Sequence, residues 1–338
     1  MDTITHMLTG AVVAKALDDK KIGNWGTIAG ISMGFFPDLD FILGLFNRQF
    51  YLEFHRGFTH SILLIPLYAL FFSWVFIKIS RRPHFWIFYK ICLLVLTSHV
   101  ILDLLTSYGT MIFSPFFEHR YSWDLVFIVD LIFSGILFFP FLFSFFWKSR
   151  ARWISRGAII GLIIYILFCW VQHDKAANLA EAFAQDRSEE VLSVASLPQP
   201  LSPFRWANYA ETKDRVYQGF VDLRRKEIPK PFVPKTESLK DSSFFWRWRQ
   251  MDSLYQPPEK IEYRFWQEIN GSPWVKKALN IEGVKFYCWV ARFPIVRLVN
   301  FRDGRHRVEF IDARFFSPGI RIPFSYYVEF DDSGKVQS

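Results

Sequence analysis

The first half of the chain places histidine and aspartate residues at spacings that suit metal ligation. His99 and Asp103 stand four residues apart in an apolar stretch, so a helix would put both side chains on one face, about 5–6 Å apart at Cβ. Asp38 and Asp40 follow another apolar run, where Pro37 fixes the turn. Mixed histidine and carboxylate ligation suits Zn²⁺, Mn²⁺ or Fe²⁺ better than Ca²⁺. The pattern predicts a divalent-metal site, with Zn²⁺ favoured and one to three ions bound.

The stretch His55-Arg-Gly-Phe-Thr-His60 adds two imidazoles around a glycine. His55 and His60 are candidate metal ligands, and Arg56 is suited to bind a phosphate or a carboxylate. The structural alternative is a helix start that Thr59 or His60 caps. In the same way, His99 and Asp103 could form a buried ion pair that joins helices, and Asp38 and Asp40 could cap and stop a helix.

These residues belong to a larger set that the apolar runs would bring to one membrane face. The set comprises His6, Asp38, Asp40, His55, His60, His99, Asp103, Asp124, Asp130 and His173. Ionisable residues near a bilayer are costly, and they usually pair, line a cavity or bind something. One shared site is the simplest explanation, although Asp130 could instead be a lone acid paired with Arg120.

The composition supports a membrane location for this half. Of the 338 residues, 51% are hydrophobic and 21% are charged, and several runs before residue 175 approach the ~20 apolar residues that cross a bilayer. This excludes an ordinary soluble enzyme and a disordered chain. The three cysteines are too few for a disulfide framework.

The runs predict a membrane α-helical bundle of about four to six membrane helices in residues 1–174. Four spans are predicted at Ser61–Ile79, Phe85–Leu105, Leu125–Trp147 and Ala158–Val171. Two shorter runs, Thr3–Leu17 and Thr27–Phe36, could be tilted spans, re-entrant segments or a packed helical pair. The N-terminus lacks the features of a removable signal peptide, so we expect Met1 onward to belong to the folded protein.

Lysine and arginine residues in the loops predict the orientation, because cytoplasmic loops carry an excess of them. One set of loops holds Lys20, Lys21, Lys78, Arg81, Arg82, Lys148, Arg150, Arg152 and Arg156, whereas the opposite set holds Arg48, Arg56 and Arg120. The first set is expected to be cytoplasmic. The metal-site residues and everything after residue 172 would then face outward.

Residues 175–338 are predicted to form a smaller β-rich extramembrane domain with a Pro-rich lead-in, Leu197–Trp206. Strands are predicted at Lys285–Val290, Ile295–Phe301, His306–Phe316 and Phe324–Phe330, with an Asp303-Gly304 hairpin turn. The aromatic and basic stretch Phe244–Arg249 is more typical of a packed or membrane-facing cluster than of a nucleic-acid surface. No nucleic-acid partner is expected.

Four blocks of the first half together resemble a known family. They are Asp2-Thr-Ile-Thr-His6, Pro37-Asp-Leu-Asp40, His55-Arg-Gly-Phe-Thr-His60-Ser61 and His99-x-x-x-Asp103. They resemble the YdjM-type family of membrane-bound metal-dependent hydrolases, which is distantly similar to zinc-dependent phospholipase C and related nucleases. The resemblance covers roughly residues 1–175 and implies a bacterial inner-membrane location. It implies that the metal ligands are His6, Asp38, His60, His99 and Asp103, with His55 as a further candidate and Asp40 close by.

The sequence departs from the phospholipase pattern in two respects. Those enzymes use the amine of a processed N-terminal residue as a ligand, and no cleavage signal precedes Asp2. A later His-x-x-x-Glu pair is also missing, and Asp124 and Asp130 are its candidate substitutes. These departures favour one or two ions over a full cluster of three.

Together, these features predict a metal-dependent hydrolase that cleaves a phosphoester of a lipid or lipid-linked substrate. Arg56 would stabilise developing oxyanion charge, and Asp40 or Asp124 could serve as general base. Membrane lipids are the expected partners. The alternatives are a metal-ion transporter or sensor that uses the same residues, and a non-enzymatic membrane anchor for the C-terminal domain.

Overall fold

A computed structural model describes residues 1–17, 20–213, 215–229, 249–267, 272–302, 305–316 and 325–337. The chain forms two compact units, Met1–Val171 and Gln172–Ser338. The predicted domain boundary after residue 174 falls inside a long helix, Ala151–Gln185, that continues from the first unit into the second.

The first unit is helical. Its α-helices are α1 (Thr3–Leu17), α2 (Trp25–Phe35), α3 (Leu43–Phe46), α4 (Arg48–Phe54), α5 (Ile65–Ser80), α6 (Phe85–Leu104), α7 (Leu131–Phe146) and α8 (Ala151–Gln185). Three short 3₁₀ segments connect them, at Phe36–Ile42, Phe58–His60 and Lys148–Arg150.

Three helical stretches in the described residues are long and apolar enough to cross a membrane, namely Trp25–Phe46, Phe85–Leu104 and Lys148–Gln185. A fourth is added if the bent pair Gln49–His60 and Ile65–Ser80, which meet at 77°, forms one span. Thr3–Leu17 and Leu131–Phe146 are shorter apolar helices. The structure therefore supports three to four spans.

Glycines bring α1 and α2 into close contact as a packed pair. A Cβ added to Gly10 would lie 2.1 Å from the backbone oxygen of Gly30, and one added to Gly34 would lie 2.4 Å from that of His6. Only glycine permits such an approach. Because Gly10 faces Gly30 and His6 faces Gly34, the two helices run antiparallel. His6 near the start of α1 therefore lies next to the end of α2.

Two predicted spans start elsewhere than expected. The predicted span Leu125–Trp147 is helical only from Leu131, because Asp130 accepts hydrogen bonds from the backbone N–H groups of Ile132 and Phe133 and so caps α7. Likewise α5 starts at Ile65 rather than at Ser61.

The second unit contains two antiparallel sheets. Strands β1 (Val191–Pro198), β2 (Arg205–Thr212), β3 (Arg215–Asp222) and β4 (Arg264–Gln267) form the first in that order, and β5 (Pro294–Arg302), β6 (Arg305–Asp312) and β7 (Ser325–Phe330) form the second. Buried side chains from both sheets, including Tyr209, Val216, Ile295 and Ile311, share one core. The predicted β-rich region is confirmed.

The prediction of a strand at Lys285–Val290 is wrong. Glu282–Val290 is an α-helix, and its Val284 is fully buried against Val308 and Phe310. This packing outweighs the local β-propensity of the aromatic and β-branched residues. Strands β5, β6 and β7 confirm the other predicted strands, whereas the Asp303-Gly304 turn and residues 244–248 lie outside the described residues.

Candidate metal site

The metal-ligand candidates converge at one end of the helical unit. The start of α1 provides His6, the 3₁₀ segment after α2 provides Asp38, the short 3₁₀ segment before α5 provides His60, and the last two turns of α6 provide His99 and Asp103. Ligand atoms of His6, Asp38, His99 and Asp103 all lie within 4.8 Å of one another. These residues could hold a metal ion.

Four of the side chains place one ligand atom each close to an imidazole nitrogen of His60 or His99. His60 Nε2 lies 3.2 Å from His99 Nε2 and 3.0 Å from Asp103 Oδ2. Asp38 Oδ1 lies 3.8 Å from the first nitrogen and 3.5 Å from the second. Four tetrahedral ligands at zinc distances would lie about 3.3 Å from one another. The observed separations therefore match those expected for a tetrahedral zinc site.

The outer nitrogens of the two imidazoles are held by hydrogen-bond partners that fix their tautomers. His99 Nδ1 lies 2.9 Å from the carbonyl oxygen of Gly34, which can only accept, so Nδ1 carries the proton. The Thr59 hydroxyl donates to Asp40 Oδ2 and therefore accepts from His60 Nδ1, at 2.9 Å. Neutral imidazoles of this kind present a lone pair at Nε2, the atom that binds metals.

When both imidazoles are neutral, their Nε2 lone pairs face each other and the Asp103 carboxylate. Asp103 Oδ2 has no hydrogen-bond partner among the described residues although His60 Nε2 is 3.0 Å away. Three acceptors without a donor between them are unfavourable in a buried site. A cation between them would satisfy all three, so the donor set fits a metal ion.

His6 contacts the other oxygen of Asp103. Its Nε2 lies 3.1 Å from Asp103 Oδ1, and its ring stacks on that of His99 with centroids 3.6 Å apart. The amino group of Met1 also contacts Oδ1. Asp103 is thus the shared centre of the cluster, with one oxygen toward His60 and His99 and the other toward His6.

The cluster is closed off from solvent. His60 and Asp103 are fully buried, and Asp38 keeps 7% of its surface exposed. Charge burial of this extent is costly unless opposite charges compensate it. Asp38, Asp40 and Asp103 contribute three carboxylates, whereas the described positive groups beside Asp103 are the Arg56 guanidinium and the Met1 amino group. The carboxylates therefore still exceed these positive groups, which favours a bound cation.

Arg56 borders the cluster on the side of Asp103. Its Nη2 lies 2.8 Å from Asp103 Oδ1, its Nη1 donates to the Thr106 hydroxyl, and its buried Nε has no partner among the described residues. The backbone of Arg56 has a positive φ of 58°, a conformation that costs energy for a residue with a side chain. The surrounding contacts hold this arginine at the site against that cost.

Asp40 holds the His55–His60 segment in place. Its Oδ1 accepts from His55 Nδ1 at 2.8 Å, and its Oδ2 accepts from the backbone N–H of Arg56 at 2.9 Å and from the Thr59 hydroxyl. Both oxygens are engaged in orienting neighbours. General-base action by Asp40 and metal ligation by His55 stay predictions.

Three further sequence candidates have contacts of their own. Asp124 is buried beside the end of α6, where the flanking Trp123 and Leu125 donate to the carbonyls of Leu104 and Leu105. Its role as a base stays a prediction. Asp130 caps α7 and accepts from the Tyr165 hydroxyl at 2.7 Å, and His173 packs on Trp206 in the second unit.

Several supporting groups were not predicted from the sequence. The Gly34 carbonyl orients His99, the Thr3 hydroxyl donates to Asp38 Oδ2 at 2.8 Å, and Thr59 connects Asp40 to His60. Thr3 and Thr59 lie inside the motifs that contain His6 and His60, so adjacency could have suggested them. The contact of Gly34 depends on how α2 packs against α6, which no local pattern encodes.

Comparison with known proteins agrees with these observations. The chain is 28% identical over 179 residues to the uncharacterized protein YfhP of Bacillus subtilis (strain 168), which covers 49% of this chain and 51% of that protein. The chain thus matches about half the length of this curated relative. No solved structure matches. The family described as YdjM inner membrane protein matches residues 1–176, the part that contains the whole cluster, and the chain belongs to this family.

Proposed function

We propose that the protein is a membrane-bound, metal-dependent hydrolase that cleaves a phosphoester of a lipid or lipid-linked substrate. The observation that carries this proposal is the buried arrangement of His60, His99, Asp38 and Asp103, in which acceptor atoms lie 3.0–3.8 Å apart. Two imidazoles and two carboxylates suit Zn²⁺, with Mn²⁺ or Fe²⁺ as alternatives.

The metal would supply an activated water and a positive charge that stabilises a phosphoryl oxygen. His60, His99, Asp38 and Asp103 would hold it, and His6 would complete a second position on Asp103 if a further ion binds. Arg56 would place its guanidinium beside the reacting phosphate, because its Nη2 already lies at the Asp103 edge of the cluster. Asp40 would act as a positioning residue for Arg56 and His60.

An amphiphilic substrate is supported by the surface around the site-bearing end. Large apolar side chains are exposed on the segments adjacent to the cluster, at Phe41, Leu45, Phe46, Phe50, Phe116 and Phe117. In an inner membrane protein, exposed aromatic residues near helix ends favour the membrane interface. A phosphoester that reaches the cluster from this interface would carry a lipid anchor.

The cluster does not favour the transport alternative. Its ligands belong to the ends of α1, α2 and α6 that meet on one side of the unit. A conduit would need ligands at successive depths through the bilayer. A non-enzymatic membrane anchor for the C-terminal domain would not need three carboxylates buried close together. Both alternatives remain outcomes that the following experiments distinguish.

The first test is elemental analysis of the detergent-purified full chain beside the variant His99→Ala/Asp103→Ala. We expect stoichiometric Zn, Mn or Fe in the native protein and none in the variant. His84→Ala is the matched control, because His84 precedes α6 at the opposite end from His99, and its metal content should be unchanged. A native protein that neither contains nor rebinds metal would overturn the site.

The second test is turnover of lipid phosphoesters by Asp103→Asn. This variant should lose activity by at least about 10²-fold, because it removes a ligand charge and the counterion of Arg56. Retained turnover would contradict the hydrolase assignment even if metal binds. Metal binding without turnover of any phosphoester would leave the sensor function as the better explanation.

A further inference from the structure

An open groove runs along the surface of the helical unit between α7 and α8. Its volume is about 780 Å³, within the range of about 300–1,000 Å³ that is typical of small-molecule pockets. The lining is almost wholly apolar. It consists of Leu131, Ile132, Gly135, Ile136, Phe139, Pro140 and Phe143 of α7, Trp147 directly after α7, and Ile154, Gly157 and Ala158 of α8.

The shape of the groove follows from small residues on α8. Gly161 packs on Ile136 and Tyr165 packs on Phe133, which joins the two helices toward the metal-site end. A Cβ added to Gly157 would meet no atom within 4 Å, so the space there is open. The lining residues extend from Leu131 to Trp147, about 24 Å along α7. The part next to Trp147, from Phe139 onward, covers about 12 Å of this length, close to the ~15 Å depth of one hydrocarbon leaflet.

The end of this groove lies beside a cluster of positive charges. Lys148, Arg150 and Arg152 follow Trp147 directly, and all three are exposed. Arg156 is not part of this cluster, because it donates to the carbonyl of Ala16.

We propose that this groove binds an anionic phospholipid. The phosphate head group would contact Lys148, Arg150 and Arg152 at the start of α8, and one hydrocarbon chain would lie along Phe139, Phe143 and Gly157. A basic cluster directly beside membrane helices is typical of sites for acidic lipid head groups. The apolar groove therefore matches the hydrocarbon chain of such a lipid, and the basic cluster matches its phosphate head group.

Charge also favours a lipid over a second copy of this chain. Two copies that paired through this groove would bring two sets of Lys148, Arg150 and Arg152 to the same end, where like charges repel. The head-group contacts are separate from the proposed catalytic site, because α7 starts near the metal cluster and the basic residues follow its other end.

The experiment measures lipid retention by the purified full chain, using native mass spectrometry after exchange into micelles with phosphatidylglycerol or phosphatidylcholine. We expect the native protein to retain phosphatidylglycerol preferentially. The variant Lys148→Gln/Arg150→Gln/Arg152→Gln should lose this preference, by about fivefold in affinity for each charge removed. The variant Lys78→Gln/Arg81→Gln/Arg82→Gln removes the same number of charges from the last turn of α5 and the loop that follows, and it should retain the preference for phosphatidylglycerol.

A second variant tests the groove itself. Gly157→Leu adds a side chain whose Cβ meets no atom within 4 Å, and leucine favours the helix, so the variant should fold and should retain less of both lipids. Equal losses in the two charge variants would show diffuse attraction and overturn the proposal, as would full retention by Gly157→Leu. A native dimer that Gly157→Leu converts to a monomer would show that a second copy occupies the groove instead.

Discussion

At the scale of single residues, the site depends on side chains that hold the ligands as much as on the ligands. Thr59 is one such residue, because its hydroxyl accepts from His60 Nδ1 and donates to Asp40. This relay keeps the Nε2 lone pair of His60 directed at Asp103 and His99. Outer partners of this type typically contribute 10–100-fold to metal affinity.

We therefore predict that Thr59→Val weakens metal binding by about 10–100-fold with little change in folding. The isosteric change removes the hydroxyl, so the imidazole can adopt the wrong tautomer. Competition with a chelator measures the affinity. Thr9→Val is the control, because the Thr9 hydroxyl bonds the carbonyl of Thr5 in its own helix. Unchanged affinity in Thr59→Val would mean that packing alone orients His60.

A substitution at Asp130 distinguishes a metal ligand from a residue that caps a helix. It accepts two backbone N–H groups at the start of α7 and the hydroxyl of Tyr165. Asp130→Ala should lower the free energy of unfolding by about 1–3 kcal/mol, whereas metal content should stay at the native level. Thermal unfolding and elemental analysis of the same sample separate the two roles. Loss of metal at native stability would identify Asp130 as a ligand.

At the scale of elements, the close approach of α1 and α2 positions the site. Gly34 both allows this approach, where its Cα lies against the His6 backbone, and orients His99 through its carbonyl. A methyl group there must move α1 away from α2. Any such movement displaces His6 and the Gly34 carbonyl relative to α6.

We predict that Gly34→Ala destabilises the protein by about 1–3 kcal/mol and also lowers metal content. Gly157→Ala is the matched control, since its added methyl meets no atom within 4 Å and alanine favours the helix. Both variants are compared by thermal unfolding in detergent and by elemental analysis. A Gly34→Ala protein with native stability and full metal content would show that the helices tolerate a wider separation.

The sequence predicts those features that repeat with a helical period or lie within one motif. His99 and Asp103 are adjacent on any helix, so their joint placement required no tertiary information. Strand β2 was not predicted because it is buried on both faces from Trp206 to Ala210, which removes the alternation that marks a half-buried strand. The end of α8 after residue 174 falls in the domain that the sequence predicts to be β-rich, and there Ala176 packs against Trp206 and Val221.

At the scale of the whole molecule, the two ends of the helical unit differ in charge. The metal cluster occupies one end, and Lys148, Arg150 and Arg152 follow α7 at the other. Two arginines at the site end are engaged within it. Arg56 pairs with Asp103, and Arg120 donates to the carbonyls of Leu52 and His55. Lys148, Arg150 and Arg152 are exposed, and an excess of such residues is typical of cytoplasmic loops, so we expect their end of the unit to be cytoplasmic.

This orientation can be measured with single cysteines in the otherwise intact chain, after Cys288→Ser, because Cys92 and Cys169 are buried. We predict that a membrane-impermeant maleimide labels Glu118→Cys and Ser333→Cys in intact spheroplasts. Arg82→Cys should be labelled only after the membrane is opened. All three positions are exposed, so a difference in labelling reports on which side of the membrane each cysteine lies. If Arg82→Cys is labelled in intact spheroplasts and the other two are not, the topology is the opposite of the one predicted. The metal site would then lie at the cytoplasmic face, and the expected substrate would be a phosphoester of the inner leaflet.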